Sequence, residues 1–240
     1  MSEASRDRRA FILRKLHSLS GVIPVGLFLV EHLWTNSAIL GGQASFDHAV
    51  AKIQDMPFLP AIEIGGIFLP LAFHAIYGVR LALQGKPNPG SYPFTRNWLY
   101  VLQRVSGIVI FAFVAAHLWE FRIQKWLFGM STSSFYPTLT AHMSWTWAGV
   151  PWIALGYLLG IAASLFHLAN GLVGFCMSWG ITSSRKAQKR VGLAFGALGG
   201  ALFLLSAVTV VELATGSRLL FDAEAGKSRP CGPEVKPPSP

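Results

Sequence analysis

The sequence predicts an all-α integral membrane protein with five transmembrane helices. Hydrophobic residues make up 52% of the 240 residues and charged residues 13%, and this charged share is about half of what a soluble domain usually carries. Five apolar segments are long enough for a helix to cross the bilayer core, which takes about 20 residues. These segments are approximately 18–40, 60–83, 98–128, 150–181 and 191–213.

The segments follow one another with short polar connections. Residues 1–17 are charged and are predicted to form a cytoplasmic segment; the apolar run after them is too long for a signal peptide and lacks a small-residue cleavage site. Pro24 and Pro70 lie inside the first two helices, where neighbouring helices can satisfy the carbonyl groups that a proline leaves unpaired. Residues 18–213 form the membrane domain, and residues 214–240 are predicted to be a disordered outer tail.

The net charge of +9 indicates loops at a cytoplasmic membrane face rather than a surface for nucleic acid. The basic residues stand in short clusters between the apolar runs, not along one face. The clusters occupy the N-terminus and the loops after the second and fourth helices: Arg6, Arg8, Arg9, Arg14 and Lys15; Lys86 and Arg96; Arg185, Lys186, Lys189 and Arg190. The N-terminus is therefore predicted to be cytoplasmic and the C-terminus to lie outside, with the lipid bilayer and no nucleic acid as partner.

Four histidines lie within the predicted membrane segments, one on each of the first four helices: His32, His74, His117 and His167. Ionisable side chains inside a membrane are costly and mark functional sites, and four of them on consecutive helices favour metal ligation. Each lies a few residues past the midpoint of its helix, and the helices alternate in direction. His32 and His117 are therefore predicted near the outer side, and His74 and His167 near the inner side, with about 9 Å between the two depths.

Two histidines at one depth on different helices can hold a haem iron through both axial positions. Neutral imidazoles at both positions suit electron transfer. The sequence therefore predicts two b-type haems, with His32 and His117 on the outer iron and His74 and His167 on the inner iron. The first four helices then form a haem-binding bundle, and the fifth packs beside it.

Residues near the histidines are candidates for the haem surroundings. Gly78 and Gly171 each follow an inner histidine by four residues, which places them on its helix face, where a porphyrin could approach the backbone; ordinary helix packing is the alternative. Four basic residues near the inner helix ends are candidates to pair with propionates of the inner haem, or to extend to lipid phosphates. They are Arg14, Lys15, Arg80 and Arg104.

Three motifs resemble a known family. They are residues 17–26 (HSLSGVIPVG) with 31–33 (EHL), residues 68–78 (FLPLAFHAIYG) and residues 166–171 (FHLANG). They are similar to the dihaem cytochrome b subunit of succinate:quinone oxidoreductases, in the single-anchor class that is shared with menaquinol:fumarate reductases. The resemblance covers the five helices, about residues 10–215.

This resemblance implies a membrane anchor in the bacterial cytoplasmic membrane, with a flavoprotein and an iron–sulfur subunit bound on the cytoplasmic face. Electrons from succinate, which is oxidised on another chain, would pass to the inner haem, the outer haem and then a quinone, with menaquinone expected. Reduction of the quinone also takes up protons. Four carboxylates lie towards the outer side: Glu31, Glu63, Glu120 and Glu212. Glu63, at the outer start of the second helix, is the predicted proton donor.

One departure from the family pattern bears on the direction of catalysis. By resemblance, fumarate reductases with a compensating transmembrane proton path carry a glutamate two residues before the inner haem ligand of the fourth helix. In this chain that ligand is His167, and the residue two positions before it is Leu165. Succinate oxidation is therefore favoured, with menaquinol:fumarate reduction as the alternative. The histidine distribution disfavours the membrane cytochromes of hydrogenases or formate dehydrogenases. A haem-free, proton-coupled transporter that uses the histidines as a relay is a third hypothesis.

Overall fold

A computed structural model describes residues 3–217 and 219 of the chain. Within that part the chain is helical, and its one extended pairing is an antiparallel bridge between Trp147 and Val150. Five helices are long and apolar enough to cross a membrane: Glu3–Gly41, Leu59–Leu83, Thr95–Phe128, Trp152–Ser178 and Arg185–Thr215. They are named the first to fifth spans. The predicted fold class, an all-α membrane protein with five transmembrane helices, is confirmed. Most of the predicted tail, residues 220–240, lies outside the described residues.

The first span is a helix that breaks at Pro24 into Glu3–Val22 and Pro24–Asn36 and ends in a 3-10 turn, Ser37–Gly41. Proline has no N–H group and its ring crowds the preceding turn, which explains the break. The helix begins at Glu3, well before the apolar run, because arginine, lysine, alanine and leucine in residues 3–17 are good helix formers. The side of the bundle at which this helix begins is called the amino-terminal side.

The second and third spans each contain a π-helical segment. In the second span, Ile62–Phe68 precedes the α-helix Leu69–Leu83. In the third span, Leu118–Ile123 follows the α-helix Thr95–His117. Both segments lie on the side opposite the N-terminus, since the second span begins there and the third ends there. Such segments are rare and often occur at functional sites.

Local capping sets the limits of the fifth span. It begins at Arg185 rather than near the predicted residue 191, because the Ser184 hydroxyl accepts a hydrogen bond from the N–H of Ala187 at 3.1 Å. It ends at Thr215, where Gly216 has a φ of 69°, a left-handed conformation that glycine adopts without steric cost.

The fourth span lies at the centre of the bundle, between the third and the fifth, and also packs against the first. Two loop helices, Gln43–Gln54 and Phe135–Ser144, close over the side opposite the N-terminus. They contribute Phe46 and Met143 to the buried apolar cluster, which residues of the first, fourth and fifth spans complete. In mid-span, large apolar side chains such as Ile76 face outward, as expected of helices surrounded by lipid.

Candidate functional site

The imidazoles of His74, on the second span, and His167, on the fourth, lie next to each other. Their ring centroids are 6.2 Å apart and the rings are nearly perpendicular, at 84°. Nδ1 of His74 lies 3.0 Å from the carbonyl oxygen of His17. Nδ1 of His167 lies 3.1 Å from the carbonyl oxygen of Gln103 and 3.1 Å from Oγ of Ser106. An Nδ1–H that donates to a carbonyl leaves the lone pair on Nε2, which is the form of imidazole that binds a metal.

His32, on the first span, and His117, on the third, form a second pair with ring centroids 5.8 Å apart and an angle of 76°. Nδ1 of His117 lies 3.2 Å from the hydroxyl of Tyr157. The amide of Asn36 donates to the backbone oxygen of His32 at 2.7 Å and lies 3.3 Å from its Nε2. The structure thus brings together the two pairs that the depth argument predicts. Ligation of a metal by them stays a prediction.

The spacing of both pairs fits a metal ion held between two imidazoles. A metal–imidazole bond is about 2.0–2.1 Å long, so two rings on opposite sides of one ion have centroids about 6 Å apart. The observed distances of 5.8 and 6.2 Å agree with this value. Two buried nitrogen atoms on the amino-terminal side, Nε2 of His17 and Nε of Arg104, have no hydrogen-bond partner among the described residues. Nitrogen atoms of this kind would suit the propionates of a haem between His74 and His167.

Three residues that the sequence analysis did not single out surround the His74–His167 pair. The ring of His17 stacks on the ring of His74, with centroids 4.2 Å apart and an angle of 7°. A Cβ atom on Gly21 would overlap the imidazole of His74, and one on Gly107 would lie 3.3 Å from Cε1 of His167. Because both glycines belong to other spans than the histidines they face, the four-residue spacing along one helix could not reveal them.

Gly78 and Gly171, the two glycines predicted from the four-residue spacing, are each separated from the imidazoles of His74 and His167 by one intervening residue. A Cβ on Gly78 would lie 3.1 Å from Nε2 of His17, and one on Gly171 would lie 3.5 Å from the amide nitrogen of Gln103. They therefore pack against the residues whose carbonyls hold His74 and His167. Their role beside a porphyrin stays a prediction.

The four predicted propionate partners all lie on the amino-terminal side. Arg14 and Arg80 are exposed there. Lys15 hydrogen-bonds the end of the fourth span and lies 4.9 Å from the ring centroid of Trp179. Arg104 keeps a buried Nε without a partner among the described residues, while its guanidinium stacks on the ring of Tyr100 and donates to the Tyr100 carbonyl at 2.9 Å.

Glu63, the predicted proton donor, forms an ion pair with Arg122 across the second and third spans. Their side chains are only 12% and 14% exposed, and each lies in the π-helical segment of its span. The guanidinium of Arg122 also lies 4.9 Å from the ring centroid of Trp126. The carboxylate that the sequence places at the outer start of the second span is therefore already neutralised by a neighbouring cation, and its role in proton delivery stays a prediction.

A second polar cluster forms around Glu120 on the same side. Its Oε2 accepts a hydrogen bond from the hydroxyl of Tyr157 at 2.7 Å, and its Oε1 pairs with Nδ1 of His142. Through Tyr157 the cluster connects to His117. The spacing of three residues between His117 and Glu120 indicates a shared helix face. No sequence pattern places His142 there, because its position depends on how the loop helix Phe135–Ser144 folds back.

The fold and the site together define a multi-pass membrane protein with two histidine pairs, each formed across two helices. No protein-family model matches the chain. Over 181 residues it is 41% identical to the succinate dehydrogenase cytochrome b558 subunit of Bacillus subtilis (strain 168), and the aligned part covers 75% of this chain and 86% of that protein. The chain therefore belongs to the family of succinate dehydrogenase cytochrome b subunits, and the resemblance stated from its motifs is confirmed.

The Glu63–Arg122 pair yields a prediction about stability. Arg122→Gln leaves a carboxylate buried without its cation and should lower the free energy of unfolding by about 3–5 kcal/mol. The double variant Glu63→Gln with Arg122→Gln should lose less, because no charge is then left unpaired. Thermal unfolding in one detergent compares the wild type, the two single variants Arg122→Gln and Glu63→Gln, and the double variant. If the losses of stability in the two single variants simply add up in the double variant, the two side chains do not interact.

Proposed function

We propose that this chain is the membrane anchor of a succinate dehydrogenase, in which it binds two b-type haems and conducts electrons between the soluble subunits and a quinone. His74 and His167 hold one iron, and His32 and His117 hold the other. Bound haem b supplies one-electron transfer between ferric and ferrous iron. The observation that carries the proposal is the geometry of the two ring pairs, whose spacing matches bis-imidazole ligation.

The chain's own residues orient the ligands. The backbone carbonyls of His17 and Gln103 accept the Nδ1–H groups of His74 and His167, which fixes the tautomer and makes each imidazole a better donor. Backbone oxygens cannot be removed by a side-chain substitution, so this support is built into the packing of the spans. At His117 the corresponding partner is instead the side chain of Tyr157.

The hydrogen-bonded surroundings of the two pairs differ in charge. The carboxylate of Glu120 is linked through Tyr157 to His117, whereas the described side-chain hydrogen-bond partners of His74 and His167 are uncharged. Positive charge favours reduced iron and negative charge favours oxidised iron, so charge is one means by which a protein sets a haem potential. The His32–His117 haem is therefore expected to have the lower potential of the two.

Membership of the family and the distribution of charge support a proposal for the partners. A flavoprotein and an iron–sulfur subunit bind on the amino-terminal side, which is the cytoplasmic side of a bacterial inner membrane, and the quinone is menaquinone. Succinate oxidation is the favoured direction, because Leu165, buried at 3% exposure, offers no proton-carrying group two residues before His167. The same anchor in a menaquinol:fumarate reductase is the alternative.

The ligand assignment predicts a distinct loss for each pair. His74→Ala and His167→Ala should each remove one haem per chain and weaken the attachment of the soluble subunits. His32→Ala and His117→Ala should each remove the other haem and leave the oxidation of succinate by a soluble dye intact. Haem content is measured on the purified complex by the pyridine haemochrome method. His48→Ala, an exposed histidine of the first loop helix, is the control. Full haem content in all four variants would end the assignment.

A second prediction tests the close approach of the first span to His74. Gly21→Val places atoms where the imidazole of His74 lies, so it should remove one haem per chain although every ligand is retained. Gly200→Val is the control, because a Cβ at Gly200 meets no atom within 4 Å. The haem content of both variants is measured from the absorption spectrum of the reduced complex. Normal haem content in Gly21→Val would mean that His74 is not a ligand in the position found here.

A further inference from the structure

A cavity lies between the third and fourth spans on the side opposite the N-terminus. Its volume is about 550 Å³, within the range of small-molecule sites. Apolar side chains and two glycines of the two spans line most of it, and none of the four paired histidines does. Its polar residues are Glu120, His142 and Tyr157, whose polar atoms form only a small part of its surface. A site with an almost entirely apolar lining and a few polar residues is the kind that binds an apolar molecule with a polar end.

The cavity is accessible from the bilayer. Leu159, on its rim, is 61% exposed, and Ala116 and Gly156 are exposed as well. A Cβ atom on Gly156 would meet no atom within 4 Å. Since these residues lie on spans that face lipid, a molecule dissolved in the membrane can enter sideways between the third and fourth spans.

The polar groups of the cavity are joined in one hydrogen-bonded chain. His142, whose side chain is 44% exposed, pairs with Oε1 of Glu120, and Tyr157 donates to Oε2 of the same carboxylate at 2.7 Å. Tyr157 in turn lies 3.2 Å from Nδ1 of His117. This series of hydrogen bonds therefore connects solvent at one end with the His32–His117 pair at the other, and the cavity lies beside it. Glu63 is not among the residues that line this cavity.

We propose that this cavity is the site at which the quinone is reduced, with Glu120 and His142 as the groups that bind its carbonyl oxygen and supply protons. The proposal rests on the proposed function, because the electrons must arrive at the adjacent histidine pair. Reduction of one quinone takes two electrons and two protons and converts both carbonyls to hydroxyls. The electrons come from the oxidation of succinate to fumarate, and the protons come through His142 from the aqueous phase on this side.

Filling the cavity tests the site directly. Gly156→Leu places a side chain in the open space. Gly174→Leu is the matched control: it lies five turns away on the same face of the same helix, and a Cβ there also meets no atom within 4 Å. With 2,3-dimethyl-1,4-naphthoquinone as the probe, Gly156→Leu should raise the KM for the quinone and weaken binding in calorimetry by about tenfold or more. Gly174→Leu should change neither, and both variants should keep their haem.

Glu120→Gln tests the chemistry of the site. It should lower kcat for reduction of the naphthoquinone more than it raises KM, because the amide still offers an oxygen and an N–H for binding but cannot supply a proton. Asp55→Asn is the control, since Asp55 is an exposed carboxylate on the same side, at the end of the loop helix Gln43–Gln54. Equal kcat in Glu120→Gln and wild type would remove Glu120 from the proposal.

The outcomes distinguish failure of the proposed function from failure of the quinone site. If the wild-type complex passes no electrons from succinate to the naphthoquinone, the proposed function fails. If it does, and Gly156→Leu binds and reduces the naphthoquinone as the wild type does, the proposed function stands and this site is wrong. Equal loss of quinone binding in Gly156→Leu and Gly174→Leu would also overturn the site, since the effect would then not depend on the cavity.

Discussion

The structure depends on the burial of four imidazoles in an apolar bundle, each within reach of a partner on another span. An imidazole in hydrocarbon is costly unless its N–H group has an acceptor, and the main chain supplies one for His74 and another for His167. For the carbonyl of His17 to reach His74, the first and second spans must approach closely. Gly21 permits this approach, because any larger residue would occupy the place of the imidazole.

Much of this arrangement could be predicted from the sequence. The five spans follow from apolar length, and the pairing of the histidines follows from the helical rise and the alternation of helix direction, both of which depend on sequence position alone. The stacking of His17 on His74, the role of Gly21 and the Glu63–Arg122 pair depend on how each helix is rotated about its axis towards its neighbours. One sequence does not specify that rotation.

The two sides of the bundle differ in their polar chemistry. On the amino-terminal side, Lys15 hydrogen-bonds the end of the fourth span, and a buried nitrogen of Arg104 has no partner among the described residues. On the opposite side, the carboxylates of Glu63 and Glu120 are both engaged, one by a cation and the other by a tyrosine and a histidine. Both carboxylates lie in π-helical segments, whose altered turn rotates their side chains relative to a continuous α-helix. This asymmetry suits the proposed function, in which electrons enter at one face and a membrane-dissolved molecule is reduced near the other.

Ligation of two haems by the four histidines is tested most directly by a redox titration of the purified complex, with its haem content determined on the same sample. We expect two haem b groups per chain that titrate in two one-electron steps, and loss of the lower-potential step in His117→Ala. A folded complex, produced with haem available, that holds no haem would contradict this ligation. So would a single haem per chain, or loss of the higher-potential step in His117→Ala, since the charges around the two pairs would then not set their order.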